Sequence, residues 1–297
     1  MQAIRLESRG VLVLDGPEAA AFLQGLVTND VTHATPQRAI HAALLTPQGK
    51  YLHDFFILGT PTGLLLDVEA DRRDDLIRRL TLYRLRAKVT ITDRTADFAV
   101  HGLLGEGAAA ALGLGQVEGS AAALGEGWAF VDPRDATLGA RTVLPAGEAE
   151  SMLGARGFAT AAFAVWDRAR LEAGLPDGSR DLVVDKTLPL EAGFDRRHGV
   201  AFDKGCYVGQ EQTARTRHRA TIRRGLMVVR FDGPASEPDT VVTLGAREVG
   251  RIRSGQDGIA LAMLRIEDVE AAASGDGPLL ADGRPLRVTL PTRDEAA

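Results

Sequence analysis

The spacing of apolar residues divides the chain near residue 222. Before that point, short apolar runs alternate with segments of helical period; after it, short strand-like runs follow one another with turn residues between them. Residues 4–14 read as two strands around Ser8-Arg9-Gly10, the second a buried run. Asp15-Gly16-Pro17-Glu18 opens a helix with Asp15 as its expected cap, and Ala20, Phe22, Leu23, Leu26 and Val27 fall at helical spacing behind it. Residues 41–45 and 51–58 form a hairpin about Thr46-Pro47-Gln48-Gly49-Lys50, and 64–68 is the next strand. An amphipathic helix follows over 71–85, with Leu76, Ile77, Leu80 and Tyr83 on one stripe and arginines on the other face. Further strands are expected at 88–93, 98–104, 128–132 and 141–144, and helices at 107–112, 147–155 and 163–174; the rest of 105–127 reads as loop. This is an α+β pattern. From 223 onward, strands at 226–231, 240–244, 247–254, 258–264 and 286–290, with one helix at 266–273, have the profile of a small antiparallel β-barrel.

The composition narrows the function classes. The 297 residues carry a net charge of −5, which gives no support for nucleic-acid binding. No apolar run approaches the roughly 20 residues of a membrane span. A single cysteine excludes an intrachain disulfide and a cysteine-ligated iron–sulfur cluster held by this chain alone, which takes about four thiolates. With no leader-like pattern at the start, a cytoplasmic location is expected. The histidines show no metal-binding spacing, so no metal site is expected.

The stretch with most chemistry is Asp203-Lys204-Gly205-Cys206-Tyr207-Val208-Gly209-Gln210-Glu211, which contains that one cysteine. It reads as a tight loop opening a helix at 210. A helix N-terminus and Lys204 both favour a thiolate, so Cys206 is a candidate reactive group with Lys204 as its activator. The residues alone equally allow a small buried side chain in a packed turn. Arg215, Arg217, Arg219, Arg223 and Arg224, with His218, form a basic run behind it.

Lys204–Glu211 resembles the signature of the YgfZ-type folate-binding proteins, relatives of the glycine-cleavage T-protein that serve iron–sulfur cluster assembly or repair. The T-protein carries an acid where Cys206 stands. The resemblance implies a T-protein-like three-domain arrangement: a two-part α+β region around a central opening, plus a C-terminal antiparallel β-barrel. On this chain that places a folate-binding region at 1–222, with 1–45 and 155–222 interleaved against 46–154, and the barrel at 223–297. It implies tetrahydrofolate in the opening and transient iron–sulfur partners, with no nucleic acid and no membrane. Glu172, in Arg170-Leu171-Glu172-Ala173-Gly174, corresponds to the glutamate that hydrogen-bonds the pterin; ion pairing with Arg168 or Arg170 is its structural alternative. Glu191, Asp54, Tyr207 and Arg223 complete the expected folate contacts, the arginine run being suited to a polyglutamate tail or a phosphate. The hairpin acid pair of the T-protein is His53-Asp54 here, which leaves open whether the functional acid is kept. The function implied is an accessory role in iron–sulfur assembly through Cys206, without classical turnover; the alternative is a folate-dependent aminomethyl or C1 transferase.

Overall fold

The computed structural model describes residues 1–219 and 222–289, with the side chains of His218 and Arg219 outside the described set. Three sheets organise the chain. The first is five-stranded and antiparallel, in the order Ala39–Leu45, Tyr51–Gly59, Gly63–Glu69, Arg9–Asp15, Thr90–Asp93. The second is six-stranded, in the order Ala159–Thr160, Gln2–Arg5, Phe98–Leu104, Ala140–Pro145, Gly127–Val131, Ala121–Leu124. The third is a closed barrel of Arg224–Phe231, Ile259–Arg265, Arg247–Gln256, Val241–Leu244, Leu279–Ala281 and Arg284–Thr289.

Layering explains why so many strand residues are apolar on both faces. Helices α1 (Ala19–Gln24) and α2 (Arg73–Arg84) cover the outer face of the five-stranded sheet through Leu23, Leu76 and Leu80. Helices α3 (Ala108–Ala111) and α4 (Ala149–Gly154) cover the outer face of the six-stranded sheet. The inner faces meet in a shared core that includes Ile4, Val11, Phe56, Phe130 and Val143. Every residue of Tyr51–Gly59 is therefore buried. Helix α5 (Phe163–Glu172) adds Trp166, which lies on Gly102; a Cβ there would sit 2.3 Å from the indole. A further apolar cluster joins Tyr51, Leu171, Phe194 and Tyr207 to Leu226 and Ile259 of the barrel, so all three parts converge on it. Among the described residues no helix is long and apolar enough to cross a membrane.

The α+β region with a C-terminal barrel has the expected architecture, but several details differ. The chain starts in the six-stranded sheet, crosses to the five-stranded sheet for 9–93, and returns for 98–160. The hairpin 51–69 thus pairs with 39–45 and 9–15. Helix α1 ends at Gln24, leaving Leu26 and Val27 outside it, and Asp15 binds Thr62 Oγ1 instead of capping it. Three strands that pattern did not reveal, Ala121–Leu124, Ala159–Thr160 and Leu279–Ala281, are short and are defined by the partners they pair with. Helix α7 (Ile266–Ala273) has the expected bounds. The last barrel strand runs to Thr289, and Leu290 of the expected strand lies outside the described residues.

Candidate functional site

The loop before helix α6 (Gln210–Arg219) is anchored on both sides of Cys206. On the N-terminal side, Lys204 Nζ donates to the carbonyl oxygens of Gln24, Val27 and Asn29 at 2.8, 2.8 and 2.6 Å. An ammonium has three N–H donors, and this cup of backbone carbonyls takes all three. Burial pushes Lys204 down to about 8, with the Asp30 charge opposing the shift. Lys204 is thus a strut between the cysteine loop and the turn after α1. On the C-terminal side, Gly209 has φ +84 and packs on the hairpin turn. A Cβ there would stand 2.6 Å from the Thr46 carbonyl oxygen and 3.0 Å from Gly49 Cα. Only glycine meets both conditions. Tyr207 is buried between the anchors, its ring 5.2 Å from Lys204 Nζ and its hydroxyl bonded to Thr213. Gly205 and Cys206 are exposed, and the position of a Gly205 Cβ is open space. The thiol therefore stands in solvent on a short arch whose neighbours are held.

Glu172 is exposed at the end of α5 and pairs with Arg168, Oε1 to Nε at 3.1 Å. Arg168 in turn reaches the Asp257 carbonyl of the barrel, which places Glu172 at the seam between α5 and the barrel. Arg170, in the same motif, is fully buried and holds the two parts together. Its guanidinium contacts Asp167, Asp181 and Ser254 Oγ at 2.7, 2.6 and 2.7 Å. Glu191 accepts from the Leu188 amide at 3.0 Å and from Arg224 Nε at 3.2 Å, tying a helical turn to the first barrel strand. Arg223 is exposed, with no side-chain partner among the described residues. Arg217 lies 3.8 Å from the Phe202 ring centroid, next to the cysteine loop.

Asp54 lies in a different setting. Its carboxylate accepts from His41 Nε2 at 3.0 Å and Tyr51 Oη at 2.8 Å, and it is buried. Desolvation raises its pKa, but the His41 hydrogen bond and the nearby Arg9 charge outweigh this and hold it well below the usual carboxylate range. Because a carboxylate only accepts, the His41 proton sits on Nε2, and the buried Nδ1 has no partner among the described residues. Around Asp54, between the two sheets, three guanidiniums (Arg9, Arg134, Arg141) meet three carboxylates (Asp54, Asp67, Asp132), all buried. Asp67 takes Arg9 at 2.6 Å and Arg141 at 3.1 Å, while Arg134 grips Asp132 in a fork at 3.0 and 2.9 Å. The three guanidiniums lie 5.6, 4.9 and 4.2 Å from the Phe56 ring centroid. Asp54 is enclosed by this cluster, Tyr207 is buried and Glu191 is doubly bonded, so each of these expected folate contacts has partners within the chain. Sequence reasoning missed the cluster. Its one legible trace is Asp67 inside the apolar run Leu64-Leu65-Leu66-Asp67-Val68.

Residues 223–294 match the family described as CAF17, C-terminal beta-barrel domain. Over 288 residues the chain is 35% identical to the human mitochondrial iron–sulfur cluster assembly factor IBA57, covering 90% of this chain and 78% of the relative. The mouse protein of the same name is 32% identical over 292 residues, with the same coverage of each chain. The crystal structure of the glycine cleavage system aminomethyltransferase T from Bartonella henselae superposes with a TM-score of 0.79. That match spans 99% of this chain and 86% of the other at 16% identity, a likeness of fold. The IBA57 relatives are mitochondrial by name, so the expected cytoplasmic location does not stand.

Proposed function

The chain belongs to the family of the iron–sulfur cluster assembly factors IBA57, and from that membership we propose that it serves iron–sulfur cluster assembly through Cys206. The observation that carries this reading is the contrast within one loop. The lysine, tyrosine and second glycine of the motif are buried in structural duties, and the only cysteine of the chain is left in solvent between them. A rigid arch holds a thiol for a partner without requiring it to be found by loop search. One thiolate supplies at most one ligand to a cluster, and the described residues hold no group of three or more further ligating side chains. The remaining ligands of any cluster contact are therefore supplied by a partner protein or a small thiol. This reading places the chain with the folate-binding YgfZ-type proteins of the superfamily.

Tetrahydrofolate is the proposed small-molecule ligand. The fit rests on two accessible groups, Glu172 at the seam between α5 and the barrel and Arg223 just before the first barrel strand. Glu172 offers two acceptor oxygens to the N–H edge of a 2-aminopyrimidinone, and exposed Arg223 suits the glutamate end. Asp54 is already bonded to His41 and Tyr51, so the ligand reading rests on Glu172 and Arg223.

The test uses the full chain. Cys206→Ala is expected to leave the fold and tetrahydrofolate affinity unchanged and to abolish support of an iron–sulfur enzyme in cells. Retained support with the alanine variant would overturn the role of the thiol. Calorimetry with tetrahydrofolate tests the ligand. Glu172→Gln is expected to weaken binding roughly ten- to a hundred-fold, and unchanged affinity removes Glu172 from the site.

A further inference from the structure

We propose that the pocket between residues 29–40, the 117–118 turn and the 198–201 loop binds a small organic oxyanion, a carboxylate or phosphate carried on an apolar body. The cavity measures about 280 Å³. Its polar lining is Asn29, Arg38, His33 and His198 with a single carboxylate, Glu118, and its apolar lining includes buried Ile40 and Val200 and exposed Val117. A concavity in which polar groups converge beside apolar side chains is a common form of small-molecule site, and this volume suits a ligand at the small end.

The Arg38 guanidinium has no side-chain hydrogen bond or ion pair among the described residues, although it is the group best shaped to take two oxygens of a carboxylate or phosphate. Glu118 faces the Ala136 amide at 3.4 Å, away from competing with a ligand for Arg38. His198 is held at φ +54, in the left-handed region, at the rim of the pocket. Asn29 fixes that rim by donating to the carbonyl oxygens of His198 at 2.7 Å and His41 at 2.8 Å. The Asn29 carbonyl is also one wall of the cup that holds Lys204, so the pocket and the cysteine loop share a residue. A strained backbone maintained by such cross-bonds at the edge of a cavity is characteristic of binding sites. None of the residues assigned to tetrahydrofolate lines this pocket, so the inference stands apart from the folate reading.

The experiment titrates the full chain with phenyl phosphate, benzoate and inorganic phosphate, by calorimetry and by the ring-proton resonances of its histidines. Saturable binding of phenyl phosphate or benzoate is expected with Kd at or below about 1 mM, with the His33 and His198 resonances shifting together. Arg38→Gln, a change at an exposed side chain, is expected to weaken it roughly tenfold or more. Tighter binding of phenyl phosphate marks a phosphate ligand, and tighter binding of benzoate a carboxylate. Inorganic phosphate binding as well as phenyl phosphate would overturn the apolar part of the ligand. No saturable binding by any of the three at about 10 mM, or binding unchanged in Arg38→Gln, would overturn the site itself.

Discussion

Asp54 and Cys206 both stand in segments that resemble functional stretches of the T-protein, yet the fold treats them in opposite ways. Asp54 is enclosed by two hydrogen bonds and an arginine cluster, and each carboxylate around it has an ionic or hydrogen-bonding partner. Cys206 stands between Lys204, whose ammonium is fully bonded, and Gly209, whose carbonyl accepts from Thr213, and is itself exposed. Burial explains the difference. A charge between two sheets survives only with full compensation, so such groups are committed to structure. A side chain that the fold neither buries nor bonds is free to act on something else.

The largest effect that would sharpen this contrast lies in the arginine cluster. Asp67→Asn removes the charge that two buried guanidiniums share, and is expected to cost about 3–5 kcal/mol in urea unfolding. A loss below about 1 kcal/mol would mean that the cluster does not hold the sheets together.

A pH effect of somewhat smaller size follows from two buried histidines elsewhere. His53 and His101 are both pushed down to about 4 from 6.5 by burial, helped by the charges of Arg72 and Arg5. Between those values the unfolded chain binds protons that the folded chain does not. Stability therefore falls as pH drops from about 6.5 to about 4, by roughly 2–3 kcal/mol for each histidine at most. His53→Gln and His101→Gln are expected to flatten the fall of Tm across that window, and unchanged curves would refute the assignment.

Next comes the strut. Lys204→Met keeps the stem and leaves three carbonyls without their donor, for a cost of about 2 kcal/mol. Lys204→Arg is expected to cost about as much, because a planar fork does not fit a compact three-oxygen cup. Full rescue by arginine would show that charge alone matters. Smallest of all, Cys206→Ala is expected to change stability by no more than about 0.5 kcal/mol, since the residue is exposed. A larger loss would move Cys206 to the structural side of the comparison.

Much of this was legible in the order of residues. Local periodicity is enough to define α7, the hairpin at 39–59, the α6 start at Gln210 and the barrel as a class, because helix and strand periods act over a few neighbours. The motif around Cys206 marked the region of interest for the same reason, being contiguous. What a loop residue touches is not contiguous. Lys204 meets carbonyls more than 170 positions away, so its role as a strut exists only once the turn after α1 is brought beside it. The same holds for Asp67, Arg9 and Arg141, which lie in three strands of two sheets and of which only Asp67 reads as an odd charge in an apolar run. The partition of strands between sheets was likewise decided by tertiary packing, since each strand pattern fits either sheet and only the burial of both inner faces together selects one. The residue sequence determined which segments form elements and which residue was chemically singular. The tertiary structure decided which polar groups neutralise one another and which single thiol is left without a partner.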